Sequence, residues 1–532
     1  MESNKINIIQ APGMSMSDDM QQFFTEMIQH EAISHDEVLE RLLSQVVKID
    51  FHLLAYPDLE KIRERMDKLN SEITSEDGSI DNSSTNKSKT DELKELKEKE
   101  RKCKLTKEAI VVLAIETLIG IAKLSQWNMC KHGDFIYIFN GEFWKDIEKD
   151  DLKKFLGKAG EKMGIPRFNA RYCKYKDLLL DQFISEAYMP SPIPAKDKVL
   201  INLKNGTFEI DPINGNMLRA FEAQDFLKYQ LPFSYDPNAE SPLFHKYIER
   251  VLPAIDTRKV LSEYLGYIFI RHGSTSLKLE KVLLLYGSGA NGKSVLFEIL
   301  NALLGPENVS NYSLSSLTTE QNGHYRAMIH NKLLNYASEI NGKMESSLFK
   351  QIASGEPLAA RLLYGNPMII NEYAKLIFNC NELPKEVEHT NAFFRRFLII
   401  PFDVTIPEVE QDRQLHTKII DNELSGVFNW MLEGLERLLN QKHFTASLEV
   451  ERAIDAFKKE SDTVHMFLDE NHYKPSPASH ETLRTLYNEY RASCLLDGNH
   501  PVSIRNFSKR LKTIGFTSER INSGIIVYCI KE

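Results

Sequence analysis

A five-residue apolar run, Val282 to Tyr286, passes directly into GSGANGKS, Gly287 to Ser294, and then into an amphipathic run. No other stretch constrains the chain as tightly. It fits G-x-x-x-x-G-K-[ST], the pattern of a loop that seats phosphate groups. Glycines at such a turn let backbone N–H groups curl inward without a Cβ clash. Gly287, Ser288, Gly289, Ala290, Asn291 and Gly292 are the expected lining of that seat. A helix beginning near Lys293 would aim its positive end at the same anion. Lys293 is expected on the outer phosphates and the Ser294 hydroxyl on Mg²⁺. The flanks suit this reading. Val295, Leu296, Ile299, Leu300 and Leu303 recur at helical spacing, and Gly305-Pro306 ends the run.

Phosphate loops serve kinases, transporters and motors, so the downstream residues must decide between them. NKLLNYASEI, Asn331 to Ile340, reads as a strand whose acid is Glu339. A nucleotide hydrolase needs a carboxylate near Mg²⁺ and the attacking water, which makes Glu339 the expected catalytic acid and, with Ser294, a metal ligand. AKLIFNCNELP, Ala374 to Pro384, is a second apolar strand, ending at Asn379, Asn381 and Glu382. An amide there can orient water or touch the terminal phosphate. NAFFRRFLIIPF sets Arg395 and Arg396 before a third apolar strand. An arginine supplied by a neighbouring subunit can stabilise transition-state charge. From Lys281 to about Phe402 strands alternate with helices, the pattern of an α/β sheet covered on both faces.

The remaining sequence surrounds this core. At 532 residues three or four domains are expected. Residues 1–104 read as a helical region with a solvated or disordered linker at about 71–90, where SEITSEDGSIDNSSTNKSKT is nearly free of apolar side chains. Residues 105–265 read as an α/β accessory domain. It has hairpin signals at Asn140-Gly141, Asn205-Gly206 and Asn214-Gly215. Residues 266–405 hold the phosphate-loop core, and 406–470 a helical region. The proline-bearing HYKPSPASHE is expected to set off a last unit, 480–532. That unit reads helix, turn, helix and ribbon, which resembles a winged helix. Ser503 is its expected cap, with Ile504, Phe507, Leu511 and Ile514 facing inward. Arg505, Lys509, Arg510 and Lys512 lie on other faces, placed to meet duplex phosphates. The six cysteines form no C-x-x-C pair, so a reducing cytoplasm is the default. AIVVLAIETLIGIAKL, from Ala109, is short for a membrane span and carries Glu116, so a buried helix is expected.

Taken in order, the phosphate loop, the strand with its terminal Glu, LFKQIASGEPLAARLLYGN, the strand ending N-x-N-E-L-P and F-R-R-F-x-I-I-P-F resemble the superfamily 3 helicases. The closer likeness is to the helicase part of phage, plasmid and satellite primase-helicases, related to the poxvirus uncoating NTPase. That resemblance runs from about Phe135 to Glu532. It implies an AAA+-like P-loop NTPase core, with ATP and Mg²⁺ bound by Lys293 and Ser294. It makes Glu339 the catalytic acid, Asn381 the polar sensor and Arg396 (or Arg395) the finger into the next subunit. Many relatives carry two adjacent acids where this chain has Ser338-Glu339. The resemblance also implies a homo-oligomeric ring, most simply a hexamer, moving on single-stranded DNA. Between acid and sensor the family carries a channel hairpin. Here Gly365-Asn366 is its expected tip, and Lys350, Arg361 and Tyr364 are the expected DNA-gripping residues. A ring repeats each basic side chain around its channel, which reconciles DNA binding with a net charge of −9. The stretch before Lys131 is too short for a polymerising primase, so a separate partner is expected to supply one.

The expected role is replication of a phage, plasmid or genomic-island element in a bacterial or infected cell. The last domain would hold the origin or a duplex arm. Two alternatives remain: an ATP-switched origin-binding or loading factor, and a monomeric P-loop kinase.

Overall fold

The structure is a computed structural model. It describes residues 33–75, 83–189, 198–271, 277–338, 340, 344–363, 365–384, 388–522 and 524–532. The chain forms two compact units. One comprises Met1–Ile193 with Ala220–Tyr229, the other Pro194–Arg219 with Gln230–Glu532. The segment expected as one accessory domain, 105–265, is therefore divided between them.

In the first unit α1 (His35–Gln45), α2 (Phe51–Ala55), α3 (Leu59–Ser75), α4 (Ser83–Lys102) and α5 (Lys107–Leu124) precede an antiparallel sheet. Its strands are β1 (Met129–His132), β2 (Phe135–Phe139) and β3 (Trp144–Ile147), and α6 (Lys149–Met163), α7 (Arg167–Arg171) and α8 (Cys173–Glu186) follow. The FIYIF of β2 explains the layering. Side chains alternate across a strand. Ile136 and Ile138 join the helical core with Val111, Ile115, Leu152 and Phe155, while Tyr137 and Phe139 pack with Cys130, Trp144 and Phe226. The turn after β2 forms where expected. Asn140 Oδ1 accepts from the N–H groups of Glu142 and Phe143 at 3.0 and 2.9 Å. The apolar segment from Ala109 is α5, buried through Val111, Ala114, Ile115, Leu118 and Ala122. No helix among the described residues is long and apolar enough to cross a membrane.

Much of the expected linker at about 71–90 is helical. Helix α3 runs to Ser75 and α4 begins at Ser83, while 76–82 lie outside the described residues. Met66, Leu69 and Leu93 form a narrow seam between the two helices, and Arg63–Glu100 and Arg65–Glu92 pair across it at 3.2 and 2.9 Å. A polar sequence thus holds a helical hairpin on few apolar side chains.

The second unit opens with the antiparallel strands β4 (Val199–Leu203), β5 (Gly206–Asp211) and β6 (Gly215–Arg219), then α9 (Pro242–Val251) and α10 (Ile255–Tyr267). Next come β7 (Val282–Tyr286), α11 (Lys293–Leu304), β8 (Val309–Ser310), α12 (Leu314–Thr318), α13 (Gly323–Met328) and β9 (Leu334–Ala337). After them come α14 (Ser346–Ser354), β10 (Leu358–Arg361), β11 (Pro367–Ile370), β12 (Lys375–Cys380), α15 (Asn391–Phe394) and β13 (Phe397–Pro401). Five of these strands make a parallel sheet in the order β13-β7-β12-β9-β8. Val282, Leu283, Leu284 and Leu285 are all buried, so β7 is covered on both faces. Strands β10 and β11 pair as an antiparallel hairpin that closes with Arg361 opposite Pro367.

Helices α16 (Leu415–Asn422), α17 (Leu424–Gln441) and α18 (Leu448–Glu460) follow the sheet. Helix α17 lies against α10 at backbone contact. A Cβ on Gly434 would sit 2.3 Å from the Ser262 carbonyl carbon, and one on Gly266 would sit 2.6 Å from Leu435 Cβ. Glu263 is fully buried in the same seam. Arg437 Nε donates to it at 2.7 Å, and the N–H and hydroxyl of Thr445 donate at 2.7 and 2.5 Å. Ala is ordinarily the better helix former. Gly434→Ala should nevertheless destabilise the protein by about 1–3 kcal/mol, because the helices must separate. A melting temperature at or above wild type in calorimetry would rule out so close an approach.

The chain ends with α19 (Thr463–Glu470), β14 (Tyr473–Thr482), α20 (Leu483–Leu496), α21 (Ile504–Ile514), β15 (Ser518–Ile521) and β16 (Gly524–Lys531). The sheet order is β14-β16-β15. The proline-bearing segment expected as a spacer is strand β14. It is an edge strand whose pairing with β16 is irregular between Pro475 and His480, where proline's missing N–H is tolerated. The shared core reaches back to Val464, Phe467 and Leu468, so α19 packs with the final elements. Ser503 caps α21 by accepting from the Asn506 N–H. Phe507 and Leu511 face the core and Ile514 packs partly against it, but Ile504 stays exposed in the first turn.

Candidate phosphate-binding site

The loop between β7 and α11 is held open by its glycines. A Cβ on Gly287 would lie 2.5 Å from the Phe402 carbonyl oxygen and 2.3 Å from Asn291 Nδ2. Gly289, Ala290 and Gly292 have φ values of 112°, 49° and 90°, the left-handed turns that make backbone N–H groups converge. The chain after β13 fastens the loop from behind. Asn291 Nδ2 donates to the Phe402 carbonyl at 2.9 Å, and the Ile406 N–H donates to the Ala290 carbonyl at 2.8 Å. From the other side Tyr247, on α9, donates its hydroxyl proton to the Gly292 carbonyl at 2.8 Å.

Lys293 is the first residue of α11 and is buried. Its Nζ donates to the Gly287 carbonyl at 2.5 Å and lies 3.5 Å from Asn381 Oδ1. Among the described residues no carboxylate pairs with it. Burial holds its pKa below the ordinary lysine value, because a desolvated cation lacks a counter-charge. Cys380, at the end of β12, is likewise buried, its thiol pushed up to about 12.

The loop forms one wall of a cavity of 1170 Å³. Ser294 at the start of α11, and Ser338, Asn379 and Asn381 at the carboxyl ends of β9 and β12, line it. Lys246, Tyr247 and Arg250 of α9, with Arg413, also line it. The arrangement thus joins Lys293, Ser294 and Asn381, three of the expected site residues. Asn379 also lines the cavity, with its Oδ1 accepting from the Tyr336 hydroxyl at 2.9 Å. Glu339 and Tyr364 lie outside the described residues. Gly287, Gly289 and Gly292 leave the seat free of side chains, and Ser294 is exposed on the cavity. These features fit a phosphate chain with Mg²⁺ at the serine hydroxyl.

Sequence reading missed Tyr247. PLFHKYIERV reads as an amphipathic helix after Pro242, but nothing in it announces that Tyr247 will grip a carbonyl 45 residues later.

The arginine pair lies elsewhere. Phe397 pairs with Val282 at the start of β7, so Arg395 and Arg396 sit at the sheet edge opposite the phosphate loop. At about 3.3 Å per residue that is roughly 13 Å along the strand. The two side chains differ sharply. Arg396 is buried, with Nη2 donating to Ser354 Oγ at 3.0 Å and lying 3.4 Å from Glu280. Arg395 is 64 % exposed, though its guanidinium also reaches Glu280 at 3.4 Å. Burial alone would raise the Glu280 carboxyl, but Lys278 and the two guanidiniums bring it below its ordinary value.

The expected DNA-contacting residues are scattered. Lys350 pairs with Glu388 at 2.9 Å. Arg361 ends β10, and its Nε donates to the Gly365 carbonyl across the hairpin tip at 2.9 Å. On α21, Arg505 and Lys509 are exposed. Arg510 turns inward to Asp462, the α19 cap, at 2.9 Å, and is committed to packing within the chain.

Comparison with known proteins places two family matches on this chain. Residues 285–396 match a family of unknown function, DUF5906, and residues 121–253 match the description D5 N terminal like. A protein of Acanthamoeba polyphaga mimivirus named as a putative helicase is 25% identical over 43% of this chain. A putative primase of African swine fever virus (isolate Tick/Malawi/Lil 20-1/1983) is 24% identical over 51%, and a putative helicase of Invertebrate iridescent virus 3 is 21% identical over 65%. The chain spans 24%, 30% and 42% of those proteins' own lengths. Among solved structures, the C-terminal region of NrS-1 superposes with a TM-score of 0.44 at 13% identity, covering 78% of this chain and 98% of that one. By its D5 N-terminal-like segment and its helicase- and primase-named relatives, the chain is similar to phage and viral primase–helicases.

Proposed function

We propose that this chain is an ATP-driven DNA helicase of superfamily 3 that works as a homo-oligomeric ring, most simply a hexamer. The observation that carries the reading is Lys293. It is a buried cation with no carboxylate partner among the described residues, aimed into a glycine-walled cavity beside Asn381. An anion such as the terminal phosphates of ATP supplies the missing charge. Mg²⁺ at Ser294 and Glu339 would offset the charge on those phosphates. Glu339 would orient the attacking water, and Asn381 would sense the terminal phosphate. The arginine pair, at the far edge of the sheet, is too distant to serve its own chain's cradle. A neighbouring subunit would offer its exposed Arg395 to it, which favours a ring over a monomeric kinase.

Other features support the DNA side. The β10–β11 hairpin stands between acid and sensor in the chain, and its tip exposes Leu363. The last elements run helix, strand, helix, helix, strand, strand, the order of a winged helix, with Arg505, Lys509 and Lys512 exposed. These would hold origin duplex while the ring moves on single-stranded DNA. The setting would be the cytoplasm, during replication of a viral, phage or plasmid element.

ATP turnover measured with and without single-stranded DNA, together with mass in solution, tests the proposal. Turnover stimulated several-fold by DNA in a multi-subunit assembly is expected. Turnover indifferent to DNA in a single subunit would favour the kinase. DNA binding without turnover would favour a loading factor.

A further inference from the structure

The first compact unit carries a surface that its own packing does not explain. Between Lys158 and Lys176 the chain has six basic residues and one acid, Glu161, against a whole-chain charge of −9. Phe168, on α7, is 89% exposed, and Tyr172, four residues on, is 52% exposed. Tyr172 is the extended residue between α7 and α8. Arg167 and Arg171 repeat that spacing one position earlier. Glu161 holds them near each other, accepting from Arg171 at 2.9 and 3.2 Å and lying 3.9 Å from Arg167. The Lys176 stem lies over Gly157, where a Cβ would come within 2.9 Å of its Cε. Lys158 and Lys174 are exposed and make no ion pair among the described residues. Two aromatic rings in water, framed by a local excess of cations, match what a single strand offers: unpaired base faces to stack and phosphates to neutralise. Duplex DNA hides its base faces and offers the rings nothing to stack on.

We infer that the end of α6, α7 and the start of α8 form a second single-stranded DNA contact, with Phe168 and Tyr172 stacking on bases and Arg167, Lys158 and Lys174 meeting phosphates. This contact does not depend on the phosphate loop. The full-length protein, without nucleotide, is titrated against a fluorescein-labelled oligothymidylate. Phe168→Ala/Tyr172→Ala should weaken binding about tenfold or more. Arg167→Gln/Lys174→Gln should flatten the slope of log affinity against log salt by about 0.7 per charge removed. An oligonucleotide carrying 5-iododeoxyuridine should photocrosslink to the peptide containing Phe168 or Tyr172, a readout that binding in a ring channel would not give. All four side chains are exposed, so thermal melting should match wild type. Unchanged affinity with no crosslink in this segment would overturn the inference. So would an equal loss for duplex DNA, or loss of a protein partner while DNA binding stays intact.

Discussion

Lys293→Ala should lower ATP turnover by at least about 10²–10³-fold, the scale on which one preorganised cationic or hydrogen-bonding contact to developing charge acts. The structural reason is that Lys293 is the buried ammonium at the seat, held between the Gly287 carbonyl and Asn381. The same substitution should not destabilise the nucleotide-free protein, because it removes a desolvated charge that has no carboxylate partner among the described residues. The two effects therefore separate. Melting of the free variant stays at or above wild type, but the rise in melting temperature on adding ATP disappears. For the wild type at a hundredfold excess over Kd that rise corresponds to about 2.7 kcal/mol. A variant that still melts higher with ATP and hydrolyses it normally would remove Lys293 from the site.

Arg395→Ala should leave ATP binding intact and cut hydrolysis by about 10³–10⁵-fold if the arginine completes a neighbour's site. Mixing the variant with wild-type protein tests the role in trans. Activity should fall faster than the fraction of wild-type subunits, since each altered subunit silences its neighbour. A strictly proportional fall would sink the trans role. Arg396→Ala is the contrasting control. That guanidinium is buried against Glu280 and Ser354, and removing one partner of a buried ion pair costs about 3–5 kcal/mol. Its loss should appear first as a lower melting temperature. Two adjacent arginines, alike in sequence, are thus assigned different work by their surroundings.

The contrast shows where sequence reasoning holds. The strand–loop–helix around GSGANGKS was legible because every constraint on it is local. The apolar run fixes β7, glycine permits the left-handed turns, and helical spacing from Val295 fixes α11. The hairpins at Asn140 and Asn205-Gly206 were legible for the same reason. Errors arose where partners are distant. The charged α3–α4 hairpin rests on Leu93 meeting Met66 and Leu69, a match that composition hides. The proline segment looked like a spacer, yet it pairs at a sheet edge where its missing N–H is harmless. Arg510 carries the right charge on the right helix, but Asp462 claims it.

The sequence by itself determined the chemistry on offer: a glycine turn, one lysine placed at a helix start, an amide after a strand, and a pair of arginines. Periodicity and turn residues act over a few bonds, so the chain alone specifies these. Only the tertiary structure decided which groups share a cavity. It brought Tyr247 to the loop, set Asn381 beside Lys293 and sent the arginines to the opposite sheet edge. Strand order and side-chain burial set those placements, and both arise from packing between residues far apart in the chain.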